Sequence, residues 1–465
     1  MDHAESDQAV VGAPAVLTEA EQNRVIRKVA VRLVPVLGFA YFFNSLDKSN
    51  IGLAALQMNH ALGLTTAAFG LASGLLFVGY AVFEVPSNLA LYKFGARRWI
   101  SRIMISWGLI AAATAFVQGP VSLYVLRILL GIAEAGFYPG VLIYLTMWIQ
   151  LRKRGQMFAW FVFGGALSGV LGSPLTGLLL TPSHYLGLAG WRTMFLLEGM
   201  PAVFIGLLCL VVLRDRPEQA AWLSDDERHW LTTTLNAERT KTESLHANSS
   251  SLRLLADAPV LLMSLIYFCA KFGQYALTFF LPLIIVEFET AAGRHYSTLH
   301  ISLLTAVPAA CSVIPAIMWA AHSDRTGERI WHAALPMFIA CVGICASVVF
   351  HDPWLIMIAI CVANIGTGAQ SAPFYQVPNT FLTGMAAAAT FALINSIGNL
   401  GGFVAPYAFG LLRDWSGDYV SASYLMGGVL ALGGVLTVAV LPRLIHRREV
   451  RNAALLPDAA FIESK

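Results

Sequence analysis

Apolar stretches of about twenty residues, separated by short polar turns, recur along almost the whole chain. Their cores cover 33–57, 69–92, 99–117, 120–144, 156–180 and 191–213, then 259–286, 299–322, 331–350, 353–377, 383–411 and 419–442. Such lengths suit a helix crossing a hydrocarbon layer of roughly 30 Å. Helix is expected because lipid offers no partner to an unpaired backbone amide. The pattern therefore predicts an all-α polytopic membrane protein of twelve transmembrane helices. One long polar stretch, 214–258, contains "SDDERHW", "AERTKTES" and "HANSSS". It divides the spans into an N-terminal six-helix bundle over 31–213 and a C-terminal one over 259–442, with tails at 1–30 and 443–465.

Composition agrees: 57% of the 465 residues are hydrophobic and 12% charged, against about a quarter charged in soluble domains. The placement of charge gives an orientation. Of the 30 lysines and arginines, Lys48, Arg127 and Lys271 lie within spans, and Arg192, Arg294 and Arg413 lie on one side. The remaining 24 lie on the other side, with both termini and the linker. The positive-inside bias makes that side cytoplasmic. The polar first 30 residues hold no apolar run with a small-residue cleavage site, so no cleaved signal peptide is expected. Cys209, Cys269, Cys311, Cys341, Cys345 and Cys361 all fall in predicted spans and read as small buried hydrophobes. Cys341 and Cys345, one helical turn apart, have no histidine or carboxylate nearby to suggest a metal. Asn248-Ser249-Ser250 fits a glycosylation acceptor, but its place in the linker makes it a chance match.

The halves echo each other. Lys93-Phe94-Gly95-Ala96-Arg97 aligns with Arg325-Thr326-Gly327-Glu328-Arg329 at an offset of 232 residues. The fifth and eleventh spans correspond as well: Gly164, Gly165, Gly169, Gly172 and Pro174 against Gly398, Gly401, Gly402 and Pro406. Small residues let helix backbones approach closely, as rocking bundles require. Paired bundles with a site between them near the midplane form a secondary-transporter plan.

The loop after the second span of each half resembles the Gly-x-x-x-Asp-Arg-x-Gly-Arg-Arg motif of the major facilitator superfamily. The C-terminal copy keeps Asp324, Arg325, Gly327 and Arg329; the N-terminal copy has Tyr92 in place of the aspartate and Asn88 in place of the first glycine. "LDKSNIGLAAL", "GYAVFEVPSNL", "YVLRILLGIAEAGFYPGV", "GWRTMFLLEGMPA" and "INSIGNLGGFVAPYAFG" are similar to the anion:cation symporter family, in particular its bacterial carboxylate carriers. Known members move tartrate, sugar acids, phthalate or 4-hydroxyphenylacetate with protons. The resemblance implies the major facilitator fold, alternating access, and Asp324, Arg325 and Arg97 as gating or structural residues.

Ionisable residues within spans are costly and mark wet cavities or pairs. Asp47 and Lys48 lie about 22 Å along the first span from Arg32, too deep for the lysine to reach the surface. As sequence neighbours they point about 100° apart, so their partners come from other helices. Two readings stand: an inter-helix brace, or Lys48 attracting a substrate anion while Asp47 titrates or keeps it charged. The family usually has arginine at Lys48, and lysine gives up the bidentate fork for a carboxylate. In the fourth span Arg127 and Glu134 are two turns apart on one face. A carboxyl buried without a fixed cation favours its protonated form; a nearby Arg127 would oppose that until an anion neutralised it. The resemblance assigns this acid to proton coupling and this arginine to the substrate network; a static Arg–Glu brace is the alternative. Tyr80 matches a cavity-facing family position. Glu84, one turn further and just before Pro86, reads as a gate or structural bond, and Glu198 as helix packing.

The central helices of the C-terminal half carry neutral groups: Gln274, Tyr275, Asn364, Gln370, Tyr375, Asn395, Ser396 and Asn399, with Lys271 the only full charge within the spans. Asn395 and Asn399 form an i,i+4 stripe. A division of labour follows, with protons and net charge handled by the N-half and substrate shape by the C-half. The expected site is thus Asp47 and Glu134 for protons, and Asn44, Lys48, Tyr80, Arg127, Gln274, Tyr275, Tyr375, Asn395 and Asn399 for substrate. A cationic site with amides suits hydroxy-acids; Phe42, Phe43, Tyr275, Phe279, Phe280 and Phe374 could suit an aromatic acid instead.

No Gly-x-Ser-x-Gly, phosphate-binding loop or metal-spaced histidine pair is present. His184, His295, His300, His332 and His351 fall in loops or at span ends and read as solvated. No enzymatic activity, cofactor, metal or nucleic acid is expected, only a small organic anion, protons and the lipid bilayer, with a monomer as the working unit. The leading expectation is a proton-coupled importer of a small carboxylate. "GVLGSPLTG" loosely resembles a drug-antiporter motif, which keeps proton-driven efflux open. A transporter-like sensor is the third reading, disfavoured because the linker and tail are too short for a signalling domain.

Overall fold

The computed structural model describes residues 17–181, 184–185, 187–246, 257–378 and 384–454. The beginning of the N-terminal tail, the Asn248-Ser249-Ser250 triplet, the His184 side chain and the tail past 454 lie outside the described residues. The N-terminal half runs α1 (Glu19–Leu62), α2 (Thr66–Phe94), α3 (Ala96–Ala113), α4 (Pro120–Glu134), α5 (Phe137–Thr146), α6 (Leu151–Leu167), α7 (Ser173–Leu180) and α8 (Gly190–Val212). A two-stranded turn, β1 (His184–Tyr185) against β2 (Leu188–Ala189), precedes α8. After α9 (Asp225–His246) come α10 (Ala258–Ala291), α11 (Thr298–Thr326), α12 (Ile330–Ser347), α13 (Pro353–Ala369), α14 (Ser371–Gln376), α15 (Gly384–Asn399), α16 (Gly401–Ser416), α17 (Val420–Val435) and α18 (Leu441–Ala454). Among the described residues eleven helical stretches are long and apolar enough to cross a membrane. The remaining crossing expected from the pattern is the pair α15–α16, interrupted at Leu400.

Three elements depart from the hydropathy reading, each for a local reason. The first helix begins at Glu19, inside the expected tail, because Thr18 caps it: its hydroxyl accepts from the Glu21 amide while Glu21 accepts from the Thr18 amide. At 44 residues, or about 66 Å, α1 exceeds any bilayer, and its charged first turns stand outside. Residues 120–144 do not form one helix. The chain breaks at Ala135–Gly136, where Gly136 takes φ 82°, a conformation that disfavours side chains. Polar residues 225–246 form α9, which α1 anchors through the Lys28 Nζ–Glu227 Oε1 pair at 2.6 Å.

That anchor is pH-dependent. Partial burial raises the Glu227 pKa, but the Lys28 hydrogen bond, the Ser224 amide and the charges of Lys28 and Arg24 together more than reverse this and hold it below its usual value. The contribution is present above the ordinary carboxylate value of about 4.3 and is lost as pH falls through the lower folded-state value. The protection of the α9 amides, taken as the intrinsic exchange rate at each pH divided by the observed rate, is therefore expected to stay constant from about pH 5 to 8 and to fall below about pH 4. Glu227→Gln should show lower protection than wild type above about pH 5 and no further fall on acidification.

The repeat noted at Gly95 and Gly327 is structural. Both take positive φ, 85° and 70°, and turn the chain sharply between consecutive spans. Their electrostatic partners differ. In the C-half, Asp324 pairs with Arg329 at 2.7 Å, while Arg325 is exposed. In the N-half, where Tyr92 replaces the acid, Asp215 from beyond α8 accepts from the Arg97 amide at 2.9 Å, and Arg97 Nε donates to the Leu210 carbonyl at 2.6 Å. His332 was expected to be solvated but is buried: Glu328 meets its Nδ1 at 2.6 Å and His322 its Nε2 at 2.7 Å. Cys311 departs the other way, exposed on α11, a helix that turns much of its surface outward.

Close packing between the halves concentrates at the end away from the termini. A Cβ added to Gly70 of α2 would lie 2.1 Å from the Pro406 carbonyl of α16, and one on Gly52 of α1 2.9 Å from the Phe279 carbonyl of α10. There Asp414 of α16 accepts from the Thr66 and Ala67 amides at 3.1 and 2.8 Å, capping α2 across the bundle divide. Toward the termini, Val82, Val85, Leu89 and Tyr92 of α2 are exposed.

Candidate functional site

A cavity of about 160 Å³ lies between the halves, lined by Tyr41, Lys48, Phe77, Tyr80 and Tyr138 from one and Tyr267, Lys271, Tyr275, Tyr375, Asn395 and Asn399 from the other. Its chemistry starts on α1. Lys48 Nζ donates to Asn44 Oδ1 at 2.9 Å, one turn back, and reaches Glu134 Oε2 at 3.1 Å; Asn44 Nδ2 donates to the same Oε2 at 3.2 Å. Glu134 Oε1 accepts no hydrogen bond. The ammonium also lies 5.1 Å from the centre of the Tyr80 ring, a cation–π contact. Glu134 is the last residue of α4, against the break at Ala135–Gly136. Interrupted helices mark ion and substrate sites in transporters, and here the interruption meets a fully buried carboxylate that pairs with a cavity lysine.

Arg127 does not pair with Glu134. It is fully buried behind the lining, its Nε donates to the Ala72 carbonyl at 3.3 Å and its Nη2 finds no partner. The expected Arg127–Glu134 relation is thus corrected: Lys48 holds the acid. Asp47 points away from Lys48, as the helical geometry requires, and accepts from Trp107 Nε1 of α3, while its Oδ1 is unpartnered. Glu198 does more than pack. It accepts from Asn50 of α1 at 2.8 Å and Thr176 of α7 at 2.6 Å, tying three helices together.

Across the cavity, Asn395 Nδ2 donates to Glu84 Oε1 at 3.1 Å, Ser396 approaches Glu84 Oε2 at 3.4 Å, and Tyr375 OH reaches Asn395 Oδ1 at 3.4 Å. Glu84 therefore bridges the halves. Lys271 Nζ donates to Gln274 Oε1 at 2.7 Å and faces the rings of Tyr267 and Tyr275 at 5.2 and 5.6 Å. Gln274 and Asn44 act on the lysines rather than lining the space.

Of the aromatic residues suggested for an aromatic acid, only Tyr275 lines the cavity. Phe42, Phe43, Phe279, Phe280 and Phe374 are buried in helix packing. The lining rings Tyr41, Phe77, Tyr138 and Tyr267 were missed. A signal existed for two: Tyr41–Asn44–Lys48 and Tyr267–Lys271–Tyr275 follow helical one-face spacing.

Two six-crossing bundles around a charged central cavity define a membrane transporter. The chain belongs to the Major Facilitator Superfamily, whose profile matches residues 37–406 and, in an overlapping match, 290–463. A "Putative tartrate transporter" of Agrobacterium vitis is 45% identical, covering 90% of this chain and 95% of its own. A "Quinolone resistance transporter" of Acinetobacter baumannii is 38% identical, covering 92% and 97%. The crystal structure of a D-xylose-proton symporter superposes with a TM-score of 0.70 at 15% identity, over 89% of this chain and 98% of that one; this likeness concerns the fold. The protein is a multi-pass membrane transporter and not an enzyme, and its relatives are consistent with the anion:cation symporter branch.

Proposed function

We propose that the protein imports a small organic acid by proton symport, with both termini in the cytoplasm of a bacterial inner membrane and the monomer as the working unit. The observation carrying this reading is the single ammonium of Lys48, shared between the cavity and the buried Glu134 carboxylate. A substrate carboxylate and Glu134 compete for that charge. When the substrate takes Lys48, Glu134 is left buried without a cation, and a proton restores neutrality. Anion and proton then bind together, and a neutralised centre lets the halves exchange access. The cavity, about 160 Å³, is smaller than the roughly 300–1,000 Å³ typical of drug sites, which favours a small acid. The tartrate transporter name of the 45% identical relative supports the same class.

The test is uptake of labelled tartrate into proteoliposomes with and without an imposed pH gradient, inside alkaline. Gradient-driven accumulation is expected. Uptake indifferent to the gradient overturns symport. The quinolone resistance relative favours a second reading, proton-driven efflux; net movement outward from loaded whole cells would establish it.

A further inference from the structure

The two lysines of the cavity are unequal. Lys48, from the N-terminal half, rests on the carboxylate of Glu134. Lys271, from the C-terminal half, has a neutral amide and two tyrosine faces around its ammonium, and among the described residues no carboxylate within ion-pair distance. Both ammonium-bearing side chains line the same cavity. An ammonium without a counter-charge inside a bilayer is expensive, and such residues mark the path of a charged ligand.

The consequence rests on the coupling reading above. Once Glu134 carries a proton, two ammonium groups face the same small space and, among the described residues, no other carboxylate lies within ion-pair distance of either; Glu84, the remaining acid beside the cavity, is held by Asn395 and Ser396. A monoanion leaves one of them uncompensated; a dianion covers both. We infer that Lys271 is the second anion-binding residue and that the site takes a small dicarboxylate, one carboxylate on Lys48 and the other on Lys271, with Asn395 and Asn399 beside the carbon chain. The C-terminal half then reads charge as well as shape, and Lys271 sets the preference for dianions over monoanions. Tyr267 and Tyr275 keep the side chain aimed into the cavity while Gln274 occupies one of its three donor positions.

The experiment compares tartrate with threonate, which keeps the four-carbon dihydroxy chain but carries a hydroxymethyl group in place of one carboxylate. Binding is read by thermal shift of the purified full-length protein, and exchange by counterflow without a pH gradient. Wild type is expected to prefer tartrate by at least tenfold. Lys271→Gln should lose most of that preference, weakening tartrate at least tenfold and changing threonate by less than about threefold; Lys271→Arg should retain it. Equal losses for both acids in Lys271→Gln would make Lys271 a packing residue and overturn the inference. So would a wild type that fails to discriminate or binds neither acid. Neither readout uses a gradient, so a failure of proton coupling leaves this result standing, and the reverse also holds.

Discussion

Glu134→Gln is expected to abolish accumulation driven by a pH gradient while leaving counterflow exchange within a few-fold of wild type. Glutamine keeps an acceptor for Asn44 and Lys48, the two donors that meet Glu134 Oε2, so the fold should survive. It cannot take up a proton. One coupled proton supplies about 1.4 kcal/mol per pH unit, or tenfold accumulation, and the variant should fall to a ratio near one. Binding carries the same signature. If the anion binds together with a proton, wild-type affinity falls by up to tenfold for each unit of rising pH, whereas the variant is flat. Retained gradient-driven accumulation in Glu134→Gln would move the coupling elsewhere, Asp47 being the next candidate.

Gly70→Ala is expected to cut transport at least tenfold without unfolding the protein. Its added carbon would lie 2.1 Å from the Pro406 carbonyl oxygen and 2.8 Å from the carbonyl carbon. No flexible side chain is there to yield, so α2 and α16 must part by about an ångström, and close-packed interfaces resist such shifts. The contact lies between the halves, at the end away from the termini, so the change disfavours one state of the access cycle rather than either bundle. A Phe77→Cys reporter in the cavity wall should react several-fold faster with an impermeant thiol reagent applied at that end. Gly131→Ala is the contrasting case. Its carbon would meet the Leu76 carbonyl at 1.9 Å, within the N-terminal bundle, and should lower the melting temperature instead. Wild-type transport by Gly70→Ala would mean that this closed arrangement is not a working state.

Much of this was legible from the chain. Apolar runs long enough for a bilayer can do little except form helices, so the spans and the two-bundle division follow from hydropathy. The 232-residue offset found Gly95 and Gly327, because a sharp turn with positive φ needs glycine at both places. The depth of Lys48 and Glu134 in apolar spans marked them as costly charges that demand a partner. Which partner was not legible. Spacing along the fourth span suggested Arg127 for Glu134, but i,i+7 neighbours on one helix sit about 10 Å apart in rise, while Lys48 on another helix sits at 3.1 Å. The helix α9 escaped because its few apolar residues are too sparse to read as a span, and its hold is long-range: Leu231 is buried in the core and Glu227 meets Lys28, roughly 200 positions away.

The sequence alone therefore determined the membrane setting, the number and order of crossings, and the short set of buried charges, since each depends on local composition and the cost of leaving water. Tertiary structure decided how those charges pair, that Arg127 stands behind the wall while Lys271 stands in it, and that Asp215 serves where Tyr92 has displaced an acid. Those outcomes depend on the relative rotation and distance of helices far apart in the chain. Side-chain packing sets these quantities, and hydropathy carries no record of them.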